Sequence, residues 1–143
     1  MVRAGGLPII HIADAALAEL ESRHIAGRTV GLIATKGTLA AGFFQERLAA
    51  HGYQHVTNTD SEIEEFVLPA IVHVKRNELE AAGALLTTAV DKVIAGGAHG
   101  IILACTETPV VLDRLPLQLS AQCVDATRAL AQACVKWWKE NQA

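Results

Sequence analysis

Short apolar runs alternate along this chain with longer stretches in which apolar residues recur at helical spacing, a pattern that predicts an α/β protein. Thr29-Val30-Gly31-Leu32-Ile33-Ala34 and Gly100-Ile101-Ile102-Leu103 are unbroken runs of strand length, as expected of strands covered on both faces. Pro8 to Ile12 reads as a short apolar strand or lead-in segment, and Tyr53 to Thr57 and Leu115 to Leu119 as two further short strands. Asp14 is placed to cap a helix through Ala15 to Glu21. The turn Thr35-Lys36-Gly37-Thr38 leads into a helix carrying Leu39, Phe43, Phe44 and Leu48, with His51-Gly52 as its stop. A polar stretch, Asn58-Thr59-Asp60-Ser61, opens a helix near Glu62 that Pro69 interrupts or restarts. From Glu78 to Ala95 the residues Leu79, Ala82, Leu85, Leu86, Val90 and Val93 mark one helical face, closed by Gly96-Gly97. A terminal helix is expected over Asp125 to Trp138, with Leu130, Cys134, Trp137 and Trp138 among its apolar residues. The expected architecture is a three-layer α/β sandwich around a mainly parallel sheet of about four strands.

The 143 residues suit a single domain spanning 1–143, and an apolar content of 51% is enough to fill its core. A net charge of −3 with interspersed signs gives no basic stripe, so no nucleic-acid partner is expected. No apolar run approaches the roughly 20 residues that span a bilayer, so no membrane partner is expected either. The start, Met1 to Pro8, has one arginine and no long apolar stretch, does not read as a secretory signal, and points to a cytoplasmic location. Cys105, Cys123 and Cys134 are odd in number and lack C-x-x-C or Cys/His metal-ligand spacing, which predicts reduced thiols, no disulfide scaffold and no zinc site. His51 and His55 are the one histidine pair at i, i+4, but they straddle Gly52 and are expected to be solvated.

The candidate chemistry centres on Ala104-Cys105-Thr106-Glu107, directly after the run ending at Leu103. In a parallel sheet this is the end at which ligands bind, so Cys105 reads either as a reactive thiol flanked by a hydroxyl and a carboxylate or as a small core residue. An ordinary thiol, with a pKa of about 8.5, is mostly protonated at neutral pH and needs local activation to act as a base. Glu107 could orient a substrate ammonium or pass a proton, while its charge would oppose thiolate formation if it pointed at sulfur. Pro109 keeps the cysteine on a loop. At Thr35 to Thr38, two hydroxyls beside a glycine could hold a carboxylate at a strand-to-helix turn, or Thr38 could simply cap the helix. No nucleotide fingerprint is present. Trp137 and Trp138, about 100° apart on a helix, cannot share one seam, so they either cover a partner surface or fold back on their own domain.

Four ordered segments together closely resemble the aspartate/glutamate racemase family. They are Pro8-Ile9-Ile10-His11-Ile12-Ala13-Asp14, then Gly31 to Thr38 with Phe44 and Arg47, then Ala104-Cys105-Thr106-Glu107, and last Val124-Asp125-Ala126-Thr127 with Ala129. The resemblance implies a two-domain α/β fold with the active site in the cleft between domains. It also implies a reaction without cofactor, in which one cysteine removes the α-proton of an amino acid and a second returns a proton from the opposite face. On this likeness Cys105 is the cysteine of the second domain, Thr106 and Glu107 are its working neighbours, and Thr35 and Thr38 are substrate-carboxylate contacts. Lys75 corresponds to a basic substrate-binding residue of the aspartate-specific members. The substrate implied is an acidic amino acid or another small carboxylate.

The likeness also implies a first domain, with a Cys-Asn-Thr motif, ahead of Pro8, and neither Cys123 nor Cys134 is followed by Asn-Thr. The chain is therefore expected to correspond to the C-terminal half of a racemase, truncated, with an apolar face that would pair with another copy. Two other functions stand beside a racemase: a single-cysteine relative resembling arylmalonate decarboxylase, and a non-catalytic carboxylate-binding or oligomerisation module.

Overall fold

A strand covered by helices on both sides must be apolar on both sides, and the two central strands meet that demand residue by residue. Val30, Leu32 and Ile102 pack on one face of the sheet, while Ile33, Ile101 and Leu103 pack on the other. The structure, a computed structural model, describes residues 2–142. In chain order it comprises β1 (Val2–Ala4), β2 (Leu7–Ile9), α1 (Ile12–Ser22), β3 (Thr29–Ile33), α2 (Lys36–Ala41), α3 (Phe43–Ala50) and β4 (Gln54–Thr57). There follow α4 (Asp60–Glu62), a π-helical turn over Ile63–Val67, α5 (Leu68–Lys75), α6 (Leu79–Ala95) and β5 (Gly100–Leu103). A 3-10 segment over Thr108–Arg114, α7 (Leu117–Ser120), β6 (Cys123–Asp125) and α8 (Ala126–Glu140) complete the order.

The main sheet is parallel throughout, in the order β4-β3-β5-β6, and β1 and β2 form a separate antiparallel hairpin. One layer, built of α5, α6 and the 3-10 segment, meets the sheet through Ile71, Leu86, Val90, Val93 and Val111. The other layer, built of α1, α3 and α8, meets it through Leu17, Leu20, Phe44, Leu48 and Ala129. The expected three-layer α/β class and parallel sheet are thus observed.

Several local expectations give way to tertiary geometry. Pro8 to Ile12 contributes no strand to the main sheet; β2 ends at Ile9 and pairs only with β1. The cap of α1 is His11 rather than Asp14, its ring Nδ1 accepting from the backbone N–H of Ala13 at 3.1 Å. Asp14 lies instead in the first turn, paired with Arg47 at 2.7 Å. The helix after Thr35 is broken in two by Gly42, which sits at φ +76, a left-handed conformation that costs glycine little. Pro69, expected to interrupt or restart its helix, restarts it: it falls in the first turn of α5, directly after the π-helical turn, where a missing N–H is harmless. Leu115 to Leu119 is not a strand, because Pro116 starts α7, and the fourth strand is Cys123–Asp125. Trp137 is half-buried beside α1, whereas Trp138 is 58% exposed, so the two indoles take different environments.

Cys123 is buried on the edge strand, and burial pushes its thiol up from an ordinary 9.0 to about 12, against a small opposing effect of Arg23. A raised folded-state value means that the native state holds its proton after the unfolded chain has lost it. Stability from this group is therefore intact below pH 9 and lost as pH rises toward 12, at about 1.4 kcal/mol per pH unit. Urea unfolding between pH 9 and 11 is expected to lose stability more steeply in the parent chain than in Cys123→Ala, the difference approaching about 1.4 kcal/mol per pH unit; identical slopes would contradict it.

Candidate functional site

β3 and β5 are neighbours in register, with Ile33 opposite Leu103, so whatever follows each strand emerges side by side at the C-terminal edge of the sheet. The Ala104 N–H donates to the Ile33 carbonyl at 2.8 Å, holding the start of the cysteine loop against the end of β3. The turn Thr35–Thr38 and the loop Ala104–Thr108 are therefore brought together by the strand pairing itself.

Thr35 is the N-cap of α2: its Oγ1 accepts from the Thr38 N–H at 3.4 Å and donates to Thr38 Oγ1 at 3.3 Å. The capping role falls to Thr35 and not to Thr38, whose hydroxyl accepts one bond and keeps its own proton to donate. Lys36 is committed elsewhere, in an exposed ion pair with Glu64 that raises its pKa.

Cys105 is half-buried, and its Sγ lies 2.9 Å from Thr108 Oγ1. Its pKa is raised: burial is the leading cause and the charge of Glu107 adds to it, while hydrogen bonds from the Thr108 side chain and backbone pull the other way. The thiol is thus the resting form at neutral pH, suited to giving a proton, with bonds already placed to stabilise the thiolate once the proton has left. Thr106 Oγ1 donates to Glu107 Oε2 at 2.9 Å, and Lys75, the last residue of α5, brings its Nζ to 4.0 Å from Glu107 Oε1. The loop and α5 therefore place a hydroxyl, a carboxylate and an ammonium beside the thiol. Glu107 is held toward its hydroxyl and ammonium neighbours, which leaves the carboxylate paired and the Lys75 ammonium largely exposed.

Thr108 was not distinguishable in the sequence. A threonine three residues beyond a cysteine acquires meaning only when the 3-10 turn folds it back onto sulfur. Gly83 of α6 lets that segment approach, since a Cβ there would lie 2.5 Å from the Arg114 Cβ. The other thiols stand apart. Cys123 precedes by two residues the Asp125 that pairs with Leu103, which puts it about four strand residues, or about 13 Å, from Cys105 along the sheet. Cys134 is exposed on α8.

The site residues reach the surface to different degrees: Thr106 is exposed, while Thr35, Thr38, Cys105 and Glu107 are partly buried. A cavity of about 590 Å³ lies beside the edge strand β6, bordered by Arg23, Asp125 and Arg128, and neither Cys105 nor Thr35 lines it. Among the described residues no group of three His, Cys, Asp or Glu side chains gathers as a metal site, and the His51–His55 spacing makes none, His51 pairing instead with Glu21 at 3.0 Å. No helix among them is long and apolar enough to cross a membrane.

Comparison with known proteins converges on one group. The family model described as Asp/Glu/Hydantoin racemase matches residues 3–134. An uncharacterized protein of the pnlA 3′ region of Pectobacterium carotovorum subsp. carotovorum is 30% identical over 116 residues, 81% of this chain and 77% of that protein. A crystal structure of a candidate Asp/Glu racemase from Yersinia pestis superposes with a TM-score of 0.70 at 28% identity, covering 92% of this chain and 56% of the other. The fold is shared as well with an aspartate racemase homologue from Pyrococcus horikoshii, at a TM-score of 0.74 and 24% identity over 92% of this chain and 56% of the other. The chain thus spans a little over half the length of these solved structures.

Proposed function

The chain belongs to the Asp/Glu/Hydantoin racemase family, and from that premise we propose that it supplies one half of a cofactor-independent racemase site, in which Cys105 moves the α-proton of an acidic amino acid. The observation that carries this reading is the position of Cys105: half-buried at the end of a central strand, hydrogen-bonded to Thr108, and beside the Thr35–Thr38 turn. In this reading Thr35 and Thr38 receive the substrate carboxylate, and Lys75 receives a second, side-chain carboxylate. Thr106 and Glu107 face the α-ammonium.

The proton balance is simple. A thiolate at Cys105 takes the α-hydrogen as a proton, the S–H bond forms, and the electron pair of the broken C–H bond is left on the α-carbon, delocalised into its carboxylate. In the reverse direction the resting thiol delivers its proton and becomes the thiolate. Inversion needs a second acid or base on the opposite face of the carbon. Cys123 and Cys134 are displaced from Cys105, and the site residues reach the surface, so the second group comes from a facing protein surface, either another domain or another copy of the chain.

The exposure of Thr106 and of the Lys75 ammonium favours one alternative, a carboxylate-binding module without turnover. Incubating the protein in deuterated water with each enantiomer of aspartate and glutamate, and following α-proton loss by NMR together with chirality, separates these readings. Exchange with inversion is expected where the facing surface is assembled, and exchange with retention where Cys105 works alone. Binding of the amino acids with no exchange of any α-proton would contradict the racemase reading.

A further inference from the structure

We propose that Thr108 is the positioning residue of the Cys105 site: its hydroxyl holds the sulfur in place and serves as hydrogen-bond partner to both protonation states of the thiol. The inference rests on the reading of Cys105 as the proton carrier and goes beyond it, by assigning the group that keeps the thiol usable.

Thr108 has 0% exposure, and with Asn58 it is one of the two buried polar residues among the described residues. Its neighbours Val111 and Leu115 belong to the apolar layer between the sheet and α6, a setting in which a hydroxyl without a partner is costly. The Asn58 amide is tied to the Ala89 carbonyl of α6 at 3.0 Å, a fold-bracing contact. The Thr108 hydroxyl makes no such contact with the scaffold; its side-chain partner is Cys105 Sγ, at 2.9 Å. Valine has the same shape and would fill this apolar site, so packing alone gives no reason for a hydroxyl here.

A hydroxyl also suits a sulfur that must gain and lose a proton. It carries one donor and two acceptor positions and rotates freely, so it accepts from S–H in the thiol and donates to S⁻ in the thiolate. The Thr108 backbone N–H favours the thiolate too, so both bonds come from one residue at the start of the 3-10 segment. Opposing them are burial and the carboxylate of Glu107, itself drawn toward Lys75 of α5. Glu107 is the charged group that acts on the thiol, and Lys75 reaches the loop through its ion pair with Glu107.

The test is the pH profile of Cys105 alkylation by iodoacetamide, read by mass spectrometry on the Cys105 peptide so that exposed Cys134 does not contribute. Thr108→Val is expected to move the midpoint up by about one pH unit, making alkylation about ten-fold slower at a fixed pH below both midpoints. Thr108→Ser, which keeps the hydroxyl, is expected to restore the parent profile. A Val profile matching the parent, or Val and Ser profiles shifted alike, would overturn the proposal. Thr108→Ala carries the same expectation and the same refutation if the valine variant does not fold. Absence of α-proton exchange in the parent protein would remove the function assigned to Cys105, whereas the alkylation midpoints report on Thr108 independently of turnover.

Discussion

Cys105→Ser is expected to abolish α-proton exchange while leaving the fold intact. A positioned acid or base contributes about 10²- to 10⁴-fold to a proton-transfer step, and a serine hydroxyl in the same place is far too weakly acidic to shuttle the proton near neutral pH. Serine keeps a hydrogen-bonding atom near Thr108 Oγ1, so the buried hydroxyl retains a partner and the melting temperature should stay close to that of the parent. Cys105→Ala should lose exchange equally and in addition lose about 1–3 kcal/mol of stability, because the Thr108 hydroxyl is left unsatisfied in an apolar layer. Exchange rates by NMR and melting by circular dichroism check both parts. Residual exchange in Cys105→Ser within ten-fold of the parent would assign the chemistry to another group.

Ile102→Ala is expected to cost about 2–5 kcal/mol, a large share of the 5–15 kcal/mol by which domains of this kind are stable. Ile102 has no exposed surface and lies on β5, an interior strand paired on both sides by β3 and β6. Its side chain shares a cluster with Leu17 and Leu20 of α1, Val30 and Leu32 of β3, and Val124 of β6. Three elements would have to move together to fill the space that it leaves, so most of the cavity would persist. Urea unfolding should show a lower midpoint with an unchanged slope. The exposed Val135 of α8 is the control: Val135→Ala should stay within about 0.5 kcal/mol of the parent.

The two central strands were legible because burial on both faces leaves an unbroken apolar run, and little else in the sequence reads that way. Legibility failed where a run was too short to show a period. Leu115 to Leu119 is apolar enough for a strand, but Pro116 fixes a helical start. The true last strand, Cys123–Asp125, is three residues long and ends in the carboxylate that caps α8 by accepting from the Arg128 N–H. The break at Gly42 depends on a backbone angle that composition does not reveal. His11 caps α1 through a ring nitrogen, in a position where Asp14 offered the commoner cap residue type.

The same contrast holds at the site. Cys105, Thr106 and Glu107 are adjacent in sequence and follow a recognisable strand, so their grouping needed no tertiary information. Lys75, placed at the site in the sequence only by family likeness, reaches Glu107 from the end of α5, and the hydroxyl of Thr108 meets sulfur only because a turn of 3-10 helix folds it back.

The most direct test of Cys105 as the group that meets the α-carbon of a bound dicarboxylate is affinity labelling with 2-bromosuccinate at mildly alkaline pH. This reagent resembles an acidic amino acid and carries bromide where the amine would be, so attack by sulfur forms a thioether and releases bromide. Peptide mapping should find the label on Cys105, with protection by aspartate, even though Cys134 is the more exposed thiol. Labelling confined to Cys134, or labelling of Cys105 that aspartate does not slow, would contradict the site described above.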